Sequence, residues 1–385
     1  MELLFLSRCV PNPPDRRDRI RAYHQLARLA TRHRVHLSCF AQSEQEIGHA
    51  RALLDRCASV YTVPLFPFPL HAARAAGRFL AGESFHDALY FSARFRADLL
   101  GLIGSRPIGG AVAGAPAMAP FVPAGMPFVL DLPERGSAYW MARARREKPR
   151  FLFQTEAKRL ALLEVREARR ASLALAASPQ IRAELLDRAP DVRCETAENG
   201  VDFDSFDPSA SPRDARLAAR RYLLFCGRLD CRDNQRGILD FARNVFPALA
   251  ARDPGLELII VGRYPPPSIL ALNAIPGVEV AGTVEDVRPY YRHAAATVAP
   301  LPLVRGIPNK VLESLAMNRP VLASPEVCDA FGSELPEGVF RCSSAEDYAR
   351  PPAEGHFRRA AMGRFSWKKN LAVLERAVAA LGKSQ

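Results

Sequence analysis

At 385 residues, with 48% hydrophobic and 24% charged content, the chain is long enough for two full cores and has an ordinary globular composition. Its formal charge of +12 is unevenly placed: residues 1–200 hold 29 Lys and Arg against 20 Asp and Glu, and residues 201–385 hold 24 against 21. No apolar run reaches the roughly 18 residues of a spanning helix, and eight scattered cysteines without a Cys-x-x-Cys pair support neither disulfides nor zinc.

The start, MELLFLSRCVPNPP, lacks the basic lead and long apolar stretch of a signal peptide, so a cytoplasmic protein is expected. His33-x-x-His36 has no Cys or carboxylate ligand suggested nearby, and no metal is expected. The excess positive charge of the first half suits either a solvated surface or an anionic partner, such as phospholipid head groups or a lipid pyrophosphate. No finger or aromatic RNA-binding signature accompanies it, so nucleic acid is not an expected partner.

In chain order, ELLFLS (2–7) predicts a strand, followed by a loop and a helix near 18–33. VHLSCFA (35–41) and SVYTVP (59–64) predict strands around a helix near 44–57. A weak strand near 110–113, FVLDL (128–132), a long charged helix near 154–171 and LALAAS (173–178) continue the alternation. A second series follows: YLLFCG (222–227), LELIIVG (256–262), VEVAG (278–282), ATVAPL (296–301) and PVLAS (320–324), with helices near 235–251, 286–295 and 309–317. Such alternation predicts an α/β fold of two doubly wound, Rossmann-like parallel-sheet domains. The boundary is expected at 200/201, with the second domain at 201–365 and a last helix from about 366.

Residues 305–324, RGIPNKVLESLAMNRPVLAS, carry the most chemistry. Gly306 and Pro308 open an amphipathic run, and Pro308 suits a first helical position because it has no amide N–H to leave unpaired. The free amides beyond it would make a seat for a phosphate. Lys310 and Glu313, three apart, share a face of the first turn.

This stretch resembles the donor-binding element of retaining, nucleotide-sugar-dependent glycosyltransferases of the two-domain GT-B type, family 4. AENGVDFDSFDP, FCGRLD and VEVAGTVEDVRPYYRHAAATVAPL are similar to further elements of that family, in the same order. PPDRRDRIRAYH and FSWKKNLAVLERAV resemble a branch linked to bacterial exopolysaccharide synthesis. The resemblance implies two domains (1–200 acceptor-binding, 201–365 donor-binding) facing a cleft, with residues 366–385 crossing back to the first. It also implies a nucleotide-sugar donor, a glycan or lipid-linked acceptor, and no metal or cofactor.

Residue by residue, it places Arg228 and Lys310 on the diphosphate as the catalytic cations, and Glu313 on the ribose hydroxyls. Arg305, Gly306, Asn309, Gly227 and Thr283 fall on the donor side. Arg305 departs from the pattern, standing where the family has its first Glu, and a cation cannot accept hydrogen bonds from sugar hydroxyls. Pro308 and Asn318 replace family glycines, and the usual Lys-Gly becomes Arg236-Gly237.

The loop 11–19 would line the ligand edge of the first sheet. It has Arg16-Arg17 where such families place glycines, so side-chain contacts from Asp15, Arg16 or Asp18 are expected there, alongside a capping role for either Asp. Asp131 is placed on the acceptor side, although retaining transfer needs no carboxylate base. No counterpart of the family's catalytic-region His is evident. YWMARARREKPRFLF (139–153) sets five cations between aromatic clusters, which suits either an anionic membrane face or a helical hairpin. Two other functions stay open: a catalytically silent nucleotide- or glycan-binding module, and a basic scaffold for membrane or nucleic acid. An oxidoreductase is disfavoured, because the first strand-loop lacks Gly-x-Gly-x-x-Gly.

Overall fold

The computed structural model describes residues 1–349 and 355–382. Residues 350–354, inside the expected second domain, and 383–385, the end of the expected terminal helix, lie outside the described residues. The chain divides into two compact units: Met1–Glu198 with Leu371–Gln385, and Asn199–Asn370. The boundary therefore falls two residues before 200/201, and the return to the first unit begins at Leu371.

The first unit holds a parallel sheet of seven strands: β1 (Glu2–Ser7), β2 (Arg34–Ala41), β3 (Ser59–Pro64), β4 (Ile108–Ala113), β5 (Phe128–Leu132), β6 (Leu173–Ala176) and β7 (Cys194–Thr196). Their spatial order is β3-β2-β1-β4-β5-β6-β7. Seven of the eight residues of β2 and all five of β5 are buried, as near-continuous apolar strands covered on both faces should be. Phe5 of β1 lies opposite Leu37 on one side and Val112 on the other. The order reverses between β1 and β4, which sets the loops after those strands apart at the edge where such sheets take ligands.

Helix α1 (Arg17–Ala30) buries Ala22, Leu26 and Leu29 against this sheet. Each buried leucine contributes about 1.5–3 kcal/mol relative to exposure. Further along come α2 (Phe68–Leu80), α3 (Phe85–Leu89), α4 (Gly136–Arg146) and α5 (Arg150–Arg170), the last two packed as a hairpin. The C-terminal helix Ala372–Leu381 belongs to this unit and lies against β4 and β5. Gly110 admits it: a β-carbon there would stand 3.0 Å from Leu381 Cδ1 and 3.1 Å from the Pro127 carbonyl.

The second unit holds β8 (Arg221–Cys226), β9 (Leu256–Val261), β10 (Val278–Gly282), β11 (Ala296–Ala299), β12 (Val321–Ala323) and β13 (Val339–Arg341), in the order β10-β9-β8-β11-β12-β13. Its switch point lies between β8 and β11. Helix α6 (Arg232–Asp240) runs into one π-type turn, Phe241–Val245, before a further helix begins at Phe246. The single helix expected over 235–251 is thus interrupted, and Pro247 accounts for the break because it has no N–H to continue the ladder. Helices α7 (Arg288–His293) and α8 (Asn309–Ala316) complete the surroundings of the switch point. The segment after the boundary pairs within the second unit, with Val201 donating to the Phe365 carbonyl at 2.9 Å. Gly200 allows this approach, since a β-carbon there would lie 2.7 Å from the Trp367 amide nitrogen.

Candidate functional site

Strand β8 ends at Cys226, and the chain turns through Gly227-Arg228 into a loop held by the start of α6. Asn234 donates to the Arg228 carbonyl at 2.8 Å, and Gln235 donates to the Leu229 carbonyl at 2.8 Å. Gly237 lets α6 close on the neighbouring strand's exit, since a β-carbon there would lie 2.3 Å from the Pro300 carbonyl oxygen. On the other side of the switch point, Leu301, Leu303, Val304 and Ile307 are buried and anchor the loop between β11 and α8. Half-buried Arg305 sits inside that anchored loop, followed by buried Gly306 at φ 146°, a backbone conformation that favours glycine. Pro308 proves to be the N-cap rather than the first helical residue, and Asn309 begins α8.

These two loops bring Lys310 over β8. Its ammonium donates to Asn234 Oδ1 at 3.0 Å and lies 3.8 Å from the centre of the Phe225 ring. Gly227 makes room, since a β-carbon there would meet Lys310 Nζ at 2.8 Å. One turn on, Glu313 accepts from the Tyr291 hydroxyl of α7 at 2.9 Å. Burial depresses the Lys310 ammonium to about 8. It raises the Glu313 carboxyl, against the opposing pull of the Tyr291 hydrogen bond and the Lys310 charge. Burial and the Glu313 charge push the Cys226 thiol up to about 12, so it stays protonated. A cation and a carboxylate half out of water therefore face one another on one helix face, each underpaired for its charge. An incoming group that is anionic at one end and carries hydroxyls at the other fits both.

Gly227, Lys310 and Glu313 thus come together as expected. Arg228 stands on the adjoining loop with its guanidinium on Asp230 in a two-pronged pair, about two-fifths exposed. Thr283 is exposed just after β10, separated from β8 by β9. Asn234 and Tyr291 were not singled out by the sequence reading. The only available signal for Asn234 was its place one turn into the helix that follows Gly-Arg-Leu.

The first unit places its expected residues differently. Asp131 is not open to an acceptor: it is 1% exposed, and both carboxylate oxygens are held by buried Arg21 of α1, at 2.7 Å and 2.6 Å. Arg21 also donates to the Ala197 carbonyl at 2.8 Å. Exposed Asp15 pairs with Arg19 at 3.0 Å, and Asp18 pairs with Arg16 at 3.1 Å. Neither Asp caps α1, whose N-cap is Arg16 with no side-chain cap bond; Arg16 also donates to Gln42 at 3.2 Å. Just past the end of β1 stands Arg8, with Glu134 at 2.5 Å and His86 Nε2 at 3.4 Å. Those three lie at the ligand edge of the first sheet and escaped the sequence reading because they come from three separate segments. Within 139–153, Arg143 turns inward, stacking over Trp140 and Phe153 and pairing with Glu147 at 2.8 Å.

Residues 220–347, which include every donor-side residue named above, match the family model described as Glycosyl transferases group 1. The second unit thus carries a glycosyltransferase domain, and the chain is an enzyme of that class. No curated protein sequence matches the chain. Among solved structures, the sucrose-phosphate synthase of Thermosynechococcus elongatus is similar at 16% identity, with 100% of both chains covered and a TM-score of 0.69. HepE of Anabaena, solved in complex with UDP, is similar at 15% identity over 99% of this chain and 100% of its own, with a TM-score of 0.67. S. aureus TarM, solved with fondaparinux, α-GlcNAc-glycerol and UDP, is similar at 9% identity over 98% of this chain and 99% of its own, with a TM-score of 0.64. The fold is that of the GT-B glycosyltransferases.

Proposed function

We propose that the chain moves a sugar from a nucleotide-diphosphate donor to a glycan or lipid-linked acceptor, with anomeric configuration retained, in the synthesis of exopolysaccharide or another cell-surface glycan. The observation that carries this reading is the placement of Lys310 and Glu313 on one face of α8, at the switch point of a group 1 glycosyltransferase domain. HepE has been solved with UDP-glucose as well as UDP, so a nucleotide sugar fits this architecture. The placement in family 4 rests on the motif order, and that in the exopolysaccharide-linked branch on the segments at 13–24 and 365–378.

In this reading Glu313 takes the ribose hydroxyls, exchanging its Tyr291 partner for them or sharing it. Lys310 and Arg228 face the diphosphate, Arg228 by releasing Asp230. Fixed positive charge in a site largely shielded from water stabilises the departing nucleotide diphosphate. Gly306 and Asn309 shape the amino end of α8, whose free amides point the same way. No metal is required, because side-chain cations supply the charge that one would bring. On the acceptor side, Arg8, Glu134 and His86 take the part first expected of Asp131, with Asp15, Arg16 and Asp18 on the adjacent loop. Peripheral attachment to the inner face of the membrane would deliver a lipid-linked acceptor.

A second reading has two points in its favour: Arg228 is already engaged by Asp230, and Arg305 replaces a family acid, as in a silent nucleotide- or glycan-binding module. Thermal stabilisation across a panel of nucleotide sugars, followed by turnover with a lipid or glycan acceptor, separates the two. Stabilisation with turnover supports transfer. Stabilisation without turnover supports the silent module, and neither effect removes the donor assignment.

A further inference from the structure

Helix α5 sorts its charges by face. Its three acidic residues, Glu156, Glu164 and Glu167, are all buried. Glu156 caps the start of α3, accepting from the Ser84 hydroxyl at 2.8 Å and the amides of Phe85 and His86 at 2.7 Å and 3.0 Å. Glu164 accepts from the amide and hydroxyl of Ser137, at 2.9 Å and 2.6 Å, where α4 begins. Glu167 takes Arg166 and Arg170, while Arg169 is taken by Asp191. The carboxyl-terminal half of the helix is thus neutralised.

From the last turn of α4 as far as Leu162 of α5 the pattern is different. Arg145, Lys148, Arg150 and Lys158 are exposed, and so are Phe151 (66%), Leu152 and Leu162 (72%). Helix α2 contains no acidic residue and exposes Phe68, Leu70 and Leu80, the last at 85%. Arg159 ties the two helices together, with its guanidinium over the Phe79 ring and its Nη1 donating to the carbonyls of Phe79 and Glu83. Glu83 and Glu147, the acids bordering this face, are both engaged, with Arg78 and Arg143. Ser137 follows β5, so its bond to Glu164 fixes that point of α5 at the ligand edge of the sheet. The 14 residues before it extend about 20 Å, at about 1.5 Å per residue.

We propose that α2, the end of α4 with the turn after it, and α5 as far as Leu162 form the face on which the chain lies against an anionic phospholipid bilayer. The cations draw it to the head groups. The outward Phe and Leu side chains choose a bilayer over a hydrated polyanion, because only an acyl region removes them from water. The inference deepens the peripheral reading above and does not depend on the donor chemistry.

Co-sedimentation of the full chain with vesicles tests it, using phosphatidylcholine alone and with one-third phosphatidylglycerol. Binding is expected to the anionic vesicles only, weakening with salt. Arg145, Lys148, Arg150 and Lys158 all changed to Gln should lower it more than tenfold. Phe151→Ser with Leu162→Ser should remove the part that survives high salt. Arg166→Gln with Arg169→Gln, which alters already paired cations, should leave it unchanged. Should the Ser variant not fold, Phe151→Trp reads the same contact, its emission shifting to the blue on anionic vesicles. Wild-type binding indifferent to lipid charge, face variants that bind like wild type, an unshifted emission from the Phe151→Trp variant, or RNA that displaces the chain from vesicles would each overturn the proposal. Sugar transfer to a soluble acceptor is a separate readout, so loss of vesicle binding and loss of donor chemistry are distinguishable.

Discussion

Lys310 is tied to Asn234, whose Oδ1 accepts its ammonium at 3.0 Å while Nδ2 donates to the Arg228 carbonyl at 2.8 Å. One amide thereby couples the helix that carries one cation to the loop that carries the other. An ammonium can only donate and a carbonyl can only accept, so both ends of the Asn234 amide are assigned without ambiguity. Asn234→Ala should release both cations and raise the donor KM more than it lowers kcat, by about tenfold or more for one hydrogen bond to a charged group. Asn234→Asp should raise KM further, because a carboxylate there pairs with Lys310 and repels the diphosphate. An unchanged donor KM in both variants would show that the bridge is incidental to the site.

Removal of either cation tests the diphosphate assignment directly. Lys310→Ala and Arg228→Ala should each cost about 2–4 kcal/mol in kcat/KM, the range for losing a preorganised charge contact. Glu313→Ala should chiefly weaken nucleotide binding, with less effect on the chemical step. Gly227→Ala should mimic Lys310→Ala in part, since its methyl group would meet Lys310 Nζ at 2.8 Å. Kinetics near wild type in both cation variants would remove the assignment.

The depressed Lys310 ammonium gives donor binding a pH signature. At about 8 in the free protein, it is charged below that pH and increasingly neutral above it. A bound diphosphate favours the charged form and raises the value, so binding takes up a proton. Donor affinity should therefore be level at neutral pH and fall above pH 8, by at most about tenfold per pH unit for one proton. The same shift has a consequence for folding. The folded value lies below the ordinary 10.5, so Lys310 disfavours the fold most below pH 8, and this cost is relieved as pH rises toward 10.5. Calorimetric titration from pH 7 to 9.5 in two buffers of different ionisation enthalpy measures the uptake. Lys310→Arg should flatten the profile, and a wild-type profile already flat would argue against a titrating lysine in the site.

Much of this was legible in the chain because the signals are local. β1 to β6 and β8 to β12 are apolar runs bounded by turns, and Lys310 and Glu313 share a face by helical spacing alone. β7 and β13 were not legible: they are three-residue edge strands, Cys-Glu-Thr and Val-Phe-Arg, each with a single buried residue and no alternation to detect. Asp131 misled for a related reason. The end of an apolar strand suggests a ligand edge, but nothing in the sequence revealed that Arg21, 110 residues earlier, claims its carboxylate. Nor could it show Arg143 turned onto Trp140, since periodicity locates a face without saying what covers it.

That reassignment of Asp131 has its own test. Asp131→Ala should destabilise the fold by about 3–5 kcal/mol, because it leaves the Arg21 charge buried and alone. The paired change Arg21→Met with Asp131→Leu should recover much of the loss, since it removes both charges together. Acceptor KM should stay near wild type in the recovered double variant. A stable Asp131→Ala protein with a selectively raised acceptor KM would restore the original acceptor-side placement.

Arg305 is the residue on which transfer and the silent-module alternative diverge. It occupies an anchored loop between buried Val304 and buried Ile307, so its backbone is fixed even though its side chain is half exposed. If it faces the diphosphate or a carboxylate on the donor sugar, Arg305→Glu should not restore an ordinary family site. It would set a carboxylate beside bound anionic oxygens and weaken donor binding by like-charge repulsion. Arg305→Lys should also be impaired, to a smaller degree, because lysine keeps the charge and loses the planar two-pronged fork. Comparing donors with and without a sugar carboxylate then separates the two targets: a uronic-acid contact makes the loss donor-specific, and a diphosphate contact makes it uniform. A wild type that turns over donor while Arg305→Glu is equally or more active would reduce Arg305 to a surface residue and leave the missing family acid unexplained by any compensating role.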